Sequence, residues 1–319
     1  MSWSLNRRAL YAASALEPHW EDYRVAVHPA EGGGKHIDCG IECPGGLEVG
    51  VVLARVCLGG LASVSIMPGE ISGRPSMLVQ VFTDHPVRAC LASQYAGWAI
   101  KEGKYFAMGS GPMRAAAGIE AIFDDIGHRE TASREIGVIG VLEARKPPTP
   151  EVVRLIASAC HVDPDAVTLL VAPTASLAGG VQIVARSVET ALHKLHELKF
   201  DLSRILSAHG TAPLPPVASD DLAAIGRTND AILYGARVIL CVTGDDASLD
   251  EIGRKVPSSA SRDHGEPFST IFARYNHDFY AVDPHLFSPA EVVFQNVQTG
   301  RSHIFGQLEP GVLARSFYL

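Results

Sequence analysis

The sequence predicts a mixed fold of helices and strands, α/β or α+β, in two parts. Three observations predict it. Strand-like apolar runs and helix-like periodic stretches alternate along the chain. Of 319 residues, 47% are hydrophobic and 19% charged, enough apolar material for well-buried cores. Pro147, Pro148 and Pro150 then interrupt the pattern near the middle. The boundary is placed there, giving an N-terminal part over residues 1–146 and a C-terminal part over 147–319, with segments free to interleave.

Taken in order, Ala9 to Leu16 reads as an amphipathic first helix with Ser2 or Ser4 as its cap. Arg7 and Arg8 precede it as they would a secretory signal, but the run is short, contains Ser14 and ends at Glu17-Pro18. Tyr23 to His28 reads as a strand, Glu31-Gly-Gly-Gly34 as a hairpin turn and Lys35 to Cys39 as the returning strand. Leu47 to Cys57 runs apolar into Leu58-Gly-Gly-Leu-Ala62 and reads, with Leu78 to Thr83 and Tyr105 to Met108, as strand-like. Arg88 to Ala99 and Met113 to Phe123 have helical spacing, and Glu135 to Leu142 is a strongly apolar strand. Beyond the prolines come a helix from Glu151 to Cys160, a buried strand from Val167 to Ala172, a turn-rich loop from Pro173 to Gly180 and a long helix from Gln182 to Leu198. Further breaks at Pro213 to Pro216 and at Pro257 set off Asp220 to Arg227, a strand from Ala236 to Val242 and a mixed C-terminal segment. No apolar stretch is long enough to span a bilayer, so a soluble chain is expected.

Charge narrows the partners. With 27 Lys and Arg against 35 Asp and Glu, and no basic run interleaved with aromatics, nucleic acid is not an expected partner. Cys39, Cys43, Cys57, Cys90, Cys160 and Cys241 are scattered, which suits free thiols in a reducing cytoplasm. Gly32-Gly33-Gly34-Lys35 lacks the first glycine and the following Ser or Thr of a phosphate loop and reads as a turn. Cys39 and Cys43, with His36 nearby, have no second ligand pair at zinc spacing. His193 and His196 share a helix face without the glutamate of a zinc-protease motif and read as solvated. In Gly109-Ser110-Gly111-Pro112 the serine does not sit in a nucleophile elbow, and the segment reads as a tight turn or substrate-lining loop.

Arg186 and Glu189 stand three apart, side by side on a helix, and spacing alone makes them a surface ion pair. Their approach argues for more. Val171 to Val184 is a strand, a Gly/Ser-rich loop and an apolar helix start, an arrangement that carries binding residues at a strand's end. Charges half-buried there have their protonation tuned by the low-dielectric surroundings.

Matching stretches run from the first hairpin nearly to the C-terminus: Ile37-Asp-Cys-Gly40, Val56-Cys-Leu-Gly-Gly-Leu-Ala62, Ala96-Gly-Trp98, Phe106-Ala-Met-Gly-Ser-Gly-Pro112, Val171-Ala-Pro-Thr174, Arg186 to Glu189, Arg227-Thr-Asn-Asp-Ala231, Pro257-Ser-Ser-Ala-Ser261 and Ser288-Pro-Ala-Glu-Val292. On these the chain resembles the methenyltetrahydromethanopterin cyclohydrolase family of methanogenic archaea and methylotrophic bacteria. The resemblance implies two α/β domains with a substrate pocket between them, a cytoplasmic homotrimer, no metal or diffusible cofactor, and a role in one-carbon metabolism such as formaldehyde oxidation. It places the family's catalytic pair on Arg186 and Glu189 and a substrate-binding glutamate on Glu143. Ser110, Ser258 and Ser259, in the two Ser/Gly-rich loops, are candidate substrate contacts. One departure is Gln94-Tyr95 where the family often reads Gln-Lys, which leaves that lysine's role without a counterpart.

The residue types suit the chemistry. A methenyl bridge between two nitrogens is a cyclic amidinium, electrophilic at carbon, and opening it takes a positioned water and a base. Two other readings stand beside this one: a non-catalytic pterin-binding protein on the same fold, and an amidohydrolase or deaminase for other cyclic C=N substrates, which more often needs a metal.

Overall fold

The computed structural model describes residues 4–30, 32–130 and 136–319. Ser2, Glu31 and Glu135 lie outside the described residues. Along the chain come α1 (Leu5–Ala13), β1 (Ala26–Pro29), β2 (Lys35–Asp38), α2 (Leu47–Cys57), β3 (Ser63–Ile71), β4 (Arg74–Thr83), β5 (Trp98–Glu102) and β6 (Tyr105–Ser110). Then follow α3 (Met113–Ala117), α4 (Ile122–Asp125), β7 (Val138–Glu143), α5 (Pro150–Ala159), β8 (Val167–Ala172), α6 (Leu177–Val184), α7 (Ser187–Glu197) and β9 (Ile205–Leu214). The last are α8 (Asp221–Leu233), β10 (Arg237–Val242), α9 (Asp246–Gly253), α10 (Phe268–Arg274), β11 (Glu291–Asn296), β12 (Ser302–Gly306) and α11 (Pro310–Tyr318).

The chain forms two compact α/β units, each drawn from two separate segments: Met1–Ala62 with Arg88–Gln182, and Ser63–Val87 with Ile183–Leu319. Residues 146 and 147, flanking the boundary set from the proline cluster, both lie in the first unit.

The first unit is a six-stranded sheet in the order β1-β2-β8-β7-β6-β5. Strands β2, β8 and β7 run parallel, and the antiparallel β1 and the β5–β6 pair flank them. Alternation along the parallel strands sends Ile37, Ile139, Val141 and Leu170 to one core, against Ala9 of α1 and Val49, Leu53 and Val56 of α2. The other face sends Leu142, Leu169 and Val171 against Val152, Val153 and Ile156 of α5. Helices therefore cover both faces, and β8, buried at all six positions, reads as an unbroken apolar run. The apolar stretch Leu47 to Cys57, read as strand-like, is a helix. Packed on α1 and the sheet, it buries seven of its residues on several sides, so no amphipathic period marks it. Ser4 caps α1, its hydroxyl accepting from the Arg7 N–H. The helical stretch from Arg88 is a π-helix over Val87–Gln94 that stops before β5. The one from Met113 breaks into α3 and α4 where Gly118 takes a left-handed φ of 59°.

The second unit holds the sheet β12-β11-β10-β9-β4-β3, antiparallel except for β10 with β11. Helices α7 and α8 pack on β9, α9 lies on β11 and β12, and α10 and α11 lie on α8. At the centre of this helix cluster Asp230 is fully buried, its carboxylate accepting the Phe268 N–H at 2.7 Å where α10 begins. Burial pushes its pKa up to about 7, against the lowering effects of the Ser316 hydroxyl, the Phe268 N–H and the Arg315 charge. The unfolded chain ionises this group near pH 4, so the folded protein holds the extra proton between about pH 4 and pH 7 and loses stability as pH rises through that window. Asp230→Asn removes the titration. Urea midpoints are expected to show the variant gaining on wild type by on the order of 2 kcal/mol between pH 5 and pH 8.

Among the described residues no helix is long and apolar enough to cross a membrane.

Candidate functional site

In an open sheet, ligands gather at the carboxyl ends of parallel strands. In the first unit those ends are Asp38, Ala172 and Glu143, in neighbouring register on β2, β8 and β7. Glu143 is half-buried, and its carboxylate accepts a hydrogen bond from the Thr174 hydroxyl, just past β8. The loop after β8 turns on Ser176, whose hydroxyl donates to the Pro173 carbonyl at 2.8 Å and accepts from the Gly179 N–H at 2.9 Å. Gly179 is required there, because a Cβ would run into the Pro173 carbonyl oxygen.

Asp38, which the sequence reading left without a role, organises the loop after β2. Its carboxylate accepts from the backbone N–H groups of Gly40 (2.9 Å), Ile41 (2.7 Å), Glu42 (2.9 Å) and Cys43 (3.1 Å). Burial pushes its pKa up, and the four N–H groups together outweigh that and hold it below the usual carboxylate range. The available signal was an Asp closing a strand ahead of Cys-Gly, the pattern of a side chain bonding to the backbone of a following turn. Beside it lies a cavity of about 420 Å³ lined by His28, His36, Glu42 and the run Pro147 to Pro150. The two imidazoles stack with centroids 5.0 Å apart, and burial followed by the neighbouring His28 lowers the pKa of His36.

The expected long helix from Gln182 to Leu198 is two helices, α6 and α7, with a turn between them, and α7 belongs to the second unit. Arg186 occupies that turn, half-buried, as the residue capping α7, and its carbonyl accepts the Thr190 N–H at 2.9 Å. Glu189 stands in the first turn of α7 with 4% of its surface exposed. A carboxylate in a first turn faces the positive end of the helix dipole and the unpaired N–H groups there. Gly210 of β9 lets this turn come close, since a Cβ would collide with the Ser187 hydroxyl and lie 2.8 Å from Val188. The pair thus belongs to a helix start with its carboxylate buried, not to the exposed helix face that spacing alone suggests.

The serines divide. Ser110 is 1% exposed and donates to the Gln94 carbonyl at 2.6 Å. Ser258 is fully buried and donates to the Leu233 carbonyl. Both hydroxyl protons are thereby committed to the protein's own backbone, while Ser259 is exposed. His193 and His196 are half-buried, not solvated, each within 4.0 Å of the Glu197 carboxylate. Burial lowers the pKa of His193, with Glu197 opposing. All six cysteines are free, and burial, with the Asp38 charge behind it, raises the thiol pKa values of Cys39 and Cys43. Gly32, Gly33 and Gly34 have φ of 93°, 114° and 73°, the backbone of a turn. Among the described residues no three His, Cys, Asp or Glu gather to hold a metal ion.

Compared with known proteins, residues 4–317 match a family described as Cyclohydrolase (MCH). Proteins named methenyltetrahydromethanopterin cyclohydrolase are similar over most of their length. One from Rhodopirellula baltica is 49% identical over 289 residues, covering 90% of this chain and 87% of the relative. One from Methylobacterium sp. strain 4-46 is 46% identical over 319 residues, covering 98% and 97%. One from Methanococcoides burtonii is 39% identical over 317 residues, 98% of each chain.

Proposed function

Because the chain belongs to the methenyltetrahydromethanopterin cyclohydrolase family, a family that opens a carbon–nitrogen bond of a cyclic amidinium, we propose that Glu189 moves the protons of that hydrolysis and Arg186 sets its electrostatics. The family match over residues 4–317 carries the reaction. Support for the roles is the placement of a buried carboxylate and a half-buried guanidinium together at the start of α7.

Glu189 takes a proton from a water as the water oxygen bonds to the bridge carbon, turning the cation into a neutral adduct that carries a hydroxyl. The carbon–nitrogen bond to the arylamine nitrogen then breaks. Protonated Glu189 gives its proton to that nitrogen, and the adduct hydroxyl releases its proton to solvent as the formyl C=O forms. One water enters and one proton leaves, and the same steps run in reverse make the bridge. Arg186 holds positive charge beside Glu189, which favours the ionised form before attack and supports the carboxylate each time the proton leaves. Glu143 adds a second carboxylate suited to a cationic carrier, and the exposed Ser259 is a candidate contact for its polar groups.

The proposal extends to a homotrimer in the cytoplasm. Free thiols at all six cysteines favour a reducing compartment, and the trimer rests on the family resemblance.

The test is the loss of the methenyl-carrier absorbance in the presence of purified protein. Acceleration over buffer is expected with the authentic tetrahydromethanopterin-type carrier. A rate equal to that of buffer overturns the reading.

A further inference from the structure

Five residues beyond Glu189 on the same helix, Lys194 is 2% exposed. Its ammonium donates to the His285 carbonyl at 2.7 Å and lies 3.0 Å from His285 Nδ1. His285 belongs to the short helical turn Pro284–Leu286 and gives its backbone N–H to one oxygen of Asp283 at 3.0 Å. The other Asp283 oxygen accepts from the Ser261 hydroxyl at 2.7 Å. The Asp283 N–H is fixed in turn by the buried Asp263 at 3.1 Å, and Tyr275 donates its hydroxyl to Asp263 at 3.0 Å. A continuous polar chain therefore runs from the last turn of α7 to the end of the Pro257–Ser261 loop, which carries Ser259.

A buried ammonium is an expensive anchor. Desolvation lowers its pKa to about 8, Asp283 opposes that, and its direct partners are a carbonyl and an imidazole instead of a carboxylate. Desolvating the ammonium offsets much of what its hydrogen bonds return, so stability alone does not account for it. What the ammonium supplies is direction. At 100° per residue, Lys194 sits about 140° around the helix from Glu189, so a tether at Lys194 fixes the rotation of α7 and thereby the aim of its first turn.

We propose that Lys194 is a positioning residue for hydrolysis, locking the rotation of the helix that presents Arg186 and Glu189 and tying it, through His285, Asp283 and Ser261, to the Pro257–Ser261 loop. This rests on the roles given above to Glu189 and Arg186.

Lys194→Met keeps the volume and removes the tether. Its kcat is expected to fall 10- to 100-fold with KM for the carrier within threefold of wild type and the urea midpoint kept, and Lys194→Arg is expected to recover most of the loss. A structural role alone would move the midpoint and leave the kcat of folded protein unchanged. Asp283→Asn breaks the far end of the chain without changing its shape and is expected to lower kcat in the same direction, deciding the matter should Lys194→Met fail to fold. Wild-type turnover lost in Glu189→Gln but retained within threefold in folded Lys194→Met, or in Asp283→Asn, overturns this inference alone. A loss in Lys194→Met that Lys194→Arg does not recover also overturns it. No turnover by wild type overturns instead the reading of the site on which it rests.

Discussion

Glutamine in place of Glu189 is expected to reduce kcat about 1,000-fold while the protein remains folded, within the 100- to 10,000-fold range that a positioned acid–base group contributes. The two side chains are nearly the same size, so the first turn of α7 keeps the packing of its Ser187 and Val188 against Gly210. What is lost is the ability to take a proton from water and return it to the departing nitrogen. Because both steps pass through the same carboxylate, no remaining group replaces it at either stage. KM is expected to change little, since the amide keeps the shape of the site. Loss of the helix-dipole interaction at a first-turn position costs about 0.3–1 kcal/mol, a few degrees at most in the melting curve. Steady-state absorbance assays beside a thermal melt check both parts. A kcat within fivefold of wild type removes Glu189 from the chemistry.

Replacing Arg114 with methionine is expected to destabilise the first unit by about 3–5 kcal/mol, the cost of breaking a buried ion pair from one side. Arg114 is fully buried in α3 and forks onto the Glu120 carboxylate at 2.8 and 2.7 Å. Its third nitrogen donates to the Leu91 and Ser93 carbonyls at 3.3 and 3.1 Å, which end a π-helix. Methionine fills much of the volume but leaves the carboxylate and both carbonyls without these donors. Trp20 and Trp98 belong to the first unit and the second unit's segments contain no tryptophan, so a fluorescence-monitored urea transition reads the first unit's unfolding. A shift worth less than 1 kcal/mol contradicts the assignment. The same guanidinium faces Tyr95. The phenol ring lies 5.0 Å from the Arg114 guanidinium carbon and offers it an aromatic face, where a lysine would bring a second positive charge.

What could be read from the sequence was what local chemistry decides. Strand β8 is legible at both ends because a wholly buried parallel strand is an unbroken apolar run between turn signals. Helix α5 was legible just beyond the proline break, where the structure sets Pro150 in its first turn under a Thr149 cap, and the β1–β2 hairpin was legible through three glycines. Helix α2 was misread because packing on several sides erases the period that tells helix from strand. Strand β9 went unread: Gly210 and Pro213 sit inside it, and its many small residues imitate a loop. The candidate site divides similarly. Arg186 and Glu189 were singled out by the strand and Gly/Ser loop ahead of them, but the turn that makes Arg186 the cap of α7 has no marker in the sequence. Ser110 and Ser258 look like ligand contacts in the sequence because a serine in a glycine-rich loop does not reveal which carbonyl its proton will find. Asp38, Arg114 and Lys194 share a different opacity. Each is a charged residue whose partners are set by tertiary packing, and residue type alone assigns it to the surface.

The hairpin formed by β3 and β4 interrupts the first unit's sequence, yet it belongs to the second unit's sheet, where β4 pairs with β9 along seven residues. A fragment beginning at Ile183 would therefore retain β9 to β12 but lack the hairpin, leaving one side of a ten-residue strand with unpaired N–H and C=O groups. Such an edge recruits other chains. Half-proteins cut at any single point are thus expected to be sticky, and the two units are obliged to fold from one continuous polypeptide, or from fragments that exchange this hairpin between them.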